Sequence, residues 1–552
     1  MGRSTVKRKP AGRGTPAEAR GADAADAPLP TPREKAPIAA AGSSFDQANS
    51  ASRAALAAPI DTPSAPKPGG PATIAPGRVG VAALQASFWL FLFLLAWSPL
   101  PLASNRPWSW SLLTLLTGAA LALWALSFML RGVSAAAPLK GARFPIAAMT
   151  LVALWAVIQW APMPIPALQH PIWGAAANAG ELAVSGRITV SPYATSTAIS
   201  HLATYCSAFW LAFQFAQDRR RARLILKATA LIGLAYAGYG LFTEFSGSQK
   251  ILFLDKTAYL DSLTSTFINR NSYATYAAFG LIASVGVLIA GFRAAARERR
   301  GWRGRAARLI EAGSGRLAVF AVAAAGCASA LLLTDSRAGV ASAAVGLATL
   351  LGLMFAPNRS QRLASLAVFG GAAILGAGLL ALSGGDTLSR ADATAEDFST
   401  RLAVYQTVWQ MIRDAPLLGV GYGAFADAFP AYRDGYAGYL FIFDKAHNTY
   451  LQAIVELGWP ASLLLFAALG WIGVLCARGA IKRRRDSIYS AVAAAVFATA
   501  AVHSLVDFSL QIPAVAFAYA ALLGLGLAQA APRPEDAAPR KRKRRRRKRR
   551  AA

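Results

Sequence analysis

The stretch "KAHNTYLQAIVELGWP", residues 445–460, opens as an apolar helix yet leads with a His-Asn pair and carries Glu456 among apolar side chains. The apolar run continues to residue 476, long enough for a bilayer, which takes about 20 residues of helix. A spanning helix satisfies its own backbone, so polar side chains inside one need a separate reason.

The rest of the chain repeats that pattern. Of 552 residues, 55% are hydrophobic and 15% are charged, against about 25% charged in a soluble domain. The net charge is +30, with 11 of the 57 Lys and Arg before residue 79 and 12 after residue 532. The remainder sit mostly in short clusters between apolar runs. A single basic patch would suggest nucleic acid; this distribution is that of a polytopic membrane protein.

Twelve apolar segments are candidate spans: 81–103, 108–130, 144–162, 196–217, 222–244, 272–292, 317–334, 338–356, 364–383, 450–476, 488–507 and 512–530. The expected fold is an all-α bundle of about 12 transmembrane helices. Basic residues mark alternate loops: Arg131, Lys140 and Arg143, then 219–223, 293–308, Arg359 and Arg362, and 478–485. Positive charge marks the cytoplasm, so both termini are expected inside. The large loop at about 384–446, between spans 9 and 10, and the Pro/Gly-rich segment 163–195 then lie outside.

Residues 79–530 form the expected membrane domain. Residues 1–78, rich in Ala, Pro, Gly and charge without apolar periodicity, read as a disordered cytoplasmic extension rather than a signal peptide. The tail, 531–552, contains "PRKRKRRRRKRR" (539–550). Its expected partner is anionic lipid, at about 1 kcal/mol per basic residue near the surface, rather than nucleic acid. Cys206, Cys327 and Cys476 fall in apolar runs, with neither metal spacing nor a disulfide framework.

Within the large loop, "STRLAVYQTVWQMIRDAP" (399–416) reads as a short amphipathic helix on the membrane surface, with Leu402, Tyr405, Val408, Trp409 and Ile412 on one face and Gln406, Gln410 and Asp414 on the other. "GVGYGAF" (419–425) has glycines but no preceding strand, so it reads as a tight turn and not a nucleotide loop.

With this orientation the unusual polar residues gather at the outer level. His447 and Asn448 open the tenth span. Asn269, Arg270 and Asn271 open the sixth. Asp335, Ser336 and Arg337 sit between two apolar runs with almost no loop. His503 and Asp507 fall one turn apart at the end of the eleventh. Ionisable residues in such places are functional candidates by default. Blander readings compete: Arg337 and Arg270 as snorkelling anchors, His503 and Asp507 as i,i+4 partners that satisfy each other, and Glu456 as support for a bend near Gly458-Trp459-Pro460.

The residue types narrow the chemistry. Guanidinium groups match phosphate oxygens in a bidentate way, and a His titrating near neutrality can take a proton from a hydroxyl. This face has no carboxylate cluster of the Mg²⁺ or Mn²⁺ type. Neither a metal nor another cofactor is expected.

At these residues the chain resembles the O-antigen ligase and O-antigen polymerase superfamily of bacterial envelope proteins. The resemblance rests on "STFINRN" (265–271), "TDSRAG" (334–339), "RLAVYQTVWQMIRDAPLLGVGYGAF" (401–425), "HNTYLQAIVELGWP" (447–460) and "HSLVDFSLQIP" (503–513), taken in order. It covers about 265–515. It implies a bundle of the lipid-donor glycosyltransferase type, moving a glycan from an undecaprenyl-diphosphate donor to an acceptor hydroxyl on the outer face of the inner membrane. It implies His447 as the catalytic residue and Arg337, Arg270 and, more weakly, Arg401 as diphosphate ligands. Asn448, Glu456, Asn269, Asn271, Asp335, His503 and Asp507 are the expected supporting residues. The acceptor, a glycan or lipid A-core, is not separated by these motifs. The alternative is a polytopic transporter of an envelope component. Transporters, however, usually bind near the midplane at broken helices, with internal repeats, and no repeat is visible here.

Overall fold

Every residue of the last helix of the bundle, Pro513–Ala530, is buried. A helix that is apolar all round belongs at the centre of a bundle, and its small residues allow neighbouring backbones to come close. In the computed structural model, residues 77–131, 141–180, 184–296, 315, 317–355, 404–432, 444–483 and 485–531 are described. The expected ninth span (364–383), the terminal segments 1–76 and 532–552, and Arg401 lie outside them.

The described helices longer than one turn are α1 (Arg78–Trp97), α2 (Pro107–Arg131), α3 (Arg143–Trp160), α4 (Ile172–Gly180), α5 (Pro192–Phe215), α6 (Arg219–Phe245), α7 (Arg270–Ala296), α8 (Ala318–Leu332), α9 (Arg337–Phe355), α10 (404–414), α11 (Thr449–Lys482), α12 (Ser487–His503) and α13 (Pro513–Ala530). A two-residue ribbon pairs Lys250–Ile251 with Leu254–Asp255. Eleven of the twelve expected spans are helices. Among the described residues, seven helices are long and apolar enough to cross a membrane (α1, α2, α3, α6, α7, α9 and α11), and α8, α12 and most of α13 are shorter apolar helices.

The central α13 packs on α5 and α12. Around it, α12 packs on α9 and α11, α7 packs on α6 and α8, and α3 packs on α11. Hydrogen bonds define the two ends. At one end, Thr449 N donates to Ser504 O (2.9 Å) and Leu263 N to Leu333 O (2.8 Å), while the Thr275 hydroxyl meets His503 Nδ1. The starts of α7, α9 and α11 therefore share an end with the close of α8 and α12. At the other end, buried Arg483 donates to Gln529, Gln529 donates to Ala216 O, and Arg219 pairs with Asp486 at 3.0 Å.

Two expectations are corrected here. The eleventh span stops at His503, not 507, because residues 504–506 turn away to carry carbonyls to Asn448 and Thr449. His503 and Asp507 are therefore not stacked on one helix. The loop helix α10 also turns much of its apolar face into the protein. Val404, Val408, Met411 and Ile412 pack into a second core with Val420, Phe425, Phe429, Ala446, Ile454 and Val455. Trp409, assigned to that face, is instead 47% exposed; the buried stripe runs through residues 404, 408 and 411, which rotates Trp409 outward beside Gln406, Gln410 and Arg413.

Candidate functional site

The long helix α11 breaks at Gly458, whose φ of 74° and ψ of 167° are not helical. Pro460 has no N–H and its ring displaces the carbonyl four residues back, so the carbonyls before it need other donors. The 416–423 segment supplies them: Val420 N donates to Val455 O (2.9 Å) and Gly421 N to Glu456 O (3.1 Å), while Trp459 N donates to Pro416 O (2.9 Å). The Gln159 amide bridges the two strands of chain, donating to Leu418 O (2.7 Å) and Glu456 O (2.9 Å). A Cβ at Gly458 would lie 2.2 Å from Leu417 O, so close approach and positive φ both require glycine there. The segment read as a tight turn is therefore a clamp on the broken helix.

Glu456 sits within this clamp, 5% exposed. Its carboxylate accepts from Gln452 Nε2 and from Gly423 N, both at 2.9 Å.

Above the break, Asn448 caps α11: its Oδ1 accepts from Tyr450 N (3.0 Å) and Leu451 N (3.1 Å), and its Nδ2 donates to Leu505 O (2.9 Å). A capping Asn is worth about 1 kcal/mol; here it also ties α11 to the turn after α12. Thr449 Oγ1 adds a bond to Asp507 O (2.9 Å).

These bonds hold His447, just outside the helix, at a left-handed φ of 52°. That region is uncommon for non-Gly residues and is tolerated where the surroundings dictate it. Three contacts do so. The Tyr405 hydroxyl of α10 donates to His447 O (3.1 Å). Phe508 meets the imidazole edge to face, with centroids 5.1 Å apart. His447 Nδ1 lies 3.9 Å from Asp507 Oδ1. Asp507 is 1% exposed while the His447 side chain is 28% exposed, so the carboxylate is behind the ring and the ring reaches the surface. Ser509 Oγ donates to the other oxygen, Asp507 Oδ2 (2.7 Å). His503 sits deeper, its Nδ1 between the hydroxyls of Thr275 and Ser509.

A second group surrounds Arg270. Its guanidinium donates to Ser262 Oγ (3.1 Å) and stacks 5.3 Å over the Tyr259 ring. Ser262 Oγ in turn donates to Asp335 Oδ2 (3.2 Å). Asn269 opens α7, accepting from Ser272 N (3.0 Å) and donating to the Tyr259 hydroxyl (3.1 Å). Asn271 contributes its carbonyl, which accepts from Thr275 Oγ1 (3.2 Å). Lys256 donates to Ser262 O (2.6 Å); burial holds its ammonium below the ordinary lysine range, against the opposing pull of Glu244 and Asp261.

Arg337 begins α9 and is exposed. Ser336 caps that helix, accepting from Gly339 N (3.1 Å). Asp335, two residues before Arg337, is tied to Ser262 and thereby to Arg270, so the chain entering α9 runs beside the Arg270 group. Thr275, touching His503, is five residues along α7 from Arg270, about 7.5 Å of helix rise. The His447–Asp507 group and the arginine group are thus neighbours at one end of the bundle. Among the described residues, no three His, Cys, Asp or Glu side chains gather as a metal site.

Sequence reading missed the pairing of His447 with Asp507 and the parts played by Ser262, Tyr259, Gln159 and Tyr405. The Pro460 break was visible as a signal; the partners of the broken helix were not.

No curated protein matches the chain. Residues 320–466 match the family model described as O-antigen ligase. The match takes in Asp335, Arg337, α10, His447, Asn448 and Glu456, and leaves Arg270, His503 and Asp507 outside. Through this segment, and with apolar helices of membrane-crossing length around it, the chain is similar to the O-antigen ligase and polymerase superfamily.

Proposed function

We propose that the protein is a membrane glycosyltransferase that moves a glycan from an undecaprenyl-diphosphate donor to an acceptor hydroxyl, a glycan or lipid A-core, at the outer face of a bacterial inner membrane. His447 accepts the proton of the attacking hydroxyl. The acceptor oxygen bonds to the anomeric carbon, the bond from that carbon to the diphosphate breaks, and the lipid diphosphate leaves with its charge held by Arg337 and Arg270. Arg401 is a third candidate ligand for the diphosphate. Transfer proceeds without a metal cofactor, the fixed guanidinium charges stabilising the leaving group.

One observation carries this reading: a half-buried imidazole backed by the buried carboxylate of Asp507, 3.9 Å from Nδ1, at the end of the bundle where the helices bearing Arg270 and Arg337 begin. A base needs an orienting partner to keep one nitrogen aimed at the substrate, and the nearness of Asp507 to Nδ1 supports that assignment. Nε2 is then the nitrogen that takes the proton. The outward orientation of this end draws support from the opposite end, where Arg78, Arg131, Arg143, Arg219, Arg220, Arg221, Arg293, Lys482 and Arg483 lie at helix termini. In this arrangement there are twelve spans, both termini are cytoplasmic, the 384–446 loop is external, and the basic tail rests on anionic lipid.

The test is a purified protein given a labelled lipid-diphosphate glycan and an acceptor glycan. Joint appearance of elongated acceptor and free lipid diphosphate is expected. Intact donor carried across vesicle membranes, with no transfer, would contradict the reading.

A further inference from the structure

The face of α10 that turns away from the second core borders a cleft of about 530 Å³, within the range of about 300–1,000 Å³ common for small-ligand sites. Tyr405, Gln406, Trp409, Gln410 and Arg413 of α10 line it, with Leu451 of α11 opposite. This is the surface that the sequence pattern would have assigned to lipid contact in part. Its composition is unlike a lipid-facing stripe. One large aromatic, Trp409, is exposed in its lining, with the primary amides of Gln406 and Gln410 one turn apart along the same helix.

We infer that this cleft is the acceptor-glycan subsite, with Trp409 as the platform for a pyranose ring and Gln406, Gln410 and Arg413 as hydrogen-bond partners for its hydroxyls. The inference rests on the transferase reading above and deepens it by naming where the acceptor is held. Three features favour sugar as the occupant. A sugar ring has an apolar C–H face that suits a flat aromatic surface and a rim of hydroxyls that suits amides, which both donate and accept. The cleft adjoins the segment that carries His447, since Tyr405, one of its walls, donates to His447 O (3.1 Å), and Leu451 lies in the first turn of α11, capped by Asn448. The cleft is also built from α10 and α11, whereas the arginines proposed for the donor diphosphate are on α7 and α9. Donor and acceptor would then reach His447 from different elements, as a two-substrate transfer needs.

Trp409 is a specificity-determining residue on this account, not a catalytic one. The probe is a set of repeat-unit oligosaccharides released by mild acid from the source organism's own surface polysaccharide. They are used as acceptors with full-length protein in detergent and a lipid-linked donor. Trp409→Ala should raise the acceptor KM about tenfold, as loss of a central aromatic anchor does, with kcat and donor KM close to wild type. Trp409→Tyr, which keeps a ring, should restore most of the affinity. The double variant Gln406→Ala/Gln410→Ala should raise the acceptor KM without altering donor KM. If Trp409→Ala leaves the acceptor KM unchanged while His447→Ala abolishes transfer, the cleft is a membrane-surface anchor or an unoccupied groove and this inference falls alone. If His447→Ala transfers at the wild-type rate, the transferase reading itself falls. A Trp409→Ala protein whose donor KM rises instead would assign the cleft to the donor glycan and also overturn the inference.

Discussion

Asp507 Oδ1 stands 3.9 Å behind His447 Nδ1, and Asp507 is held in turn by Ser509 Oγ at 2.7 Å. The carboxylate is buried and the imidazole reaches the surface, which is what the proposed base and its orienting group require. Asp507→Asn keeps the shape but can present an amide N–H to Nδ1, which favours the wrong tautomer. The expected outcome is a fall in kcat approaching the 10²- to 10⁴-fold, roughly, that a general base contributes, with both KM values little changed. A steady-state comparison of Asp507→Asn with wild type checks it, and equal kcat values would make the pair merely structural.

Arg337→Lys keeps the charge but removes the planar fork that fits a diphosphate. Most activity should be lost while the protein still inserts and expresses, because Arg337 is exposed at the first turn of α9. Arg270→Lys should lose activity as well, since it gives up both the bond to Ser262 and the stacking on Tyr259. Transfer assays on well-folded variants decide the point. Normal glycan synthesis by Arg337→Lys would reduce that residue to a snorkelling anchor.

The break in α11 separates support from chemistry. Gly458→Ala would drive a Cβ to 2.2 Å from Leu417 O at a φ of 74°, so it should lower the melting temperature by an amount that reflects on the order of 1–3 kcal/mol of backbone strain. Glu456→Gln retains an oxygen for Gly423 N and should be mild in both stability and rate. A thermal-shift measurement beside a transfer assay tests the pair. A Glu456→Gln enzyme as impaired as His447→Ala would show that Glu456 takes part in proton transfer.

Orientation can be tested at exposed positions on the two ends. In a background lacking Cys206, Cys327 and Cys476, cysteine is placed at Gln410 on α10 or at Arg220 at the start of α6. An impermeant thiol reagent applied to intact spheroplasts should label the first and not the second. The reverse pattern would put the candidate site on the cytoplasmic face.

Helices were legible in this sequence because a long apolar run has few other folds open to it in a membrane, and the order of the polar residues was legible because each opens or closes such a run. What remained hidden depends on contacts between distant segments. The turn 504–507 looks like the tail of an apolar helix, so His503 and Asp507 read as partners until the backbone turned at Ser504 and delivered Asp507 to His447. Trp409 looked like part of the apolar stripe of α10 because Leu402, Tyr405 and Trp409 also fit a helical period. Only packing against Phe425, Phe429 and Val455 selects the other stripe. Arg270 and Asp335 meet through Ser262, a residue with no signal of its own.

The most direct measurement is transfer from a lipid-linked glycan donor by purified wild-type and His447→Ala protein, each with and without EDTA. With a histidine base and arginine-held diphosphate, wild-type transfer should be unchanged by EDTA, and His447→Ala should be slower by about 10²- to 10⁴-fold while still binding donor. Wild-type turnover by His447→Ala, or loss of wild-type transfer on adding EDTA, would contradict the mechanism.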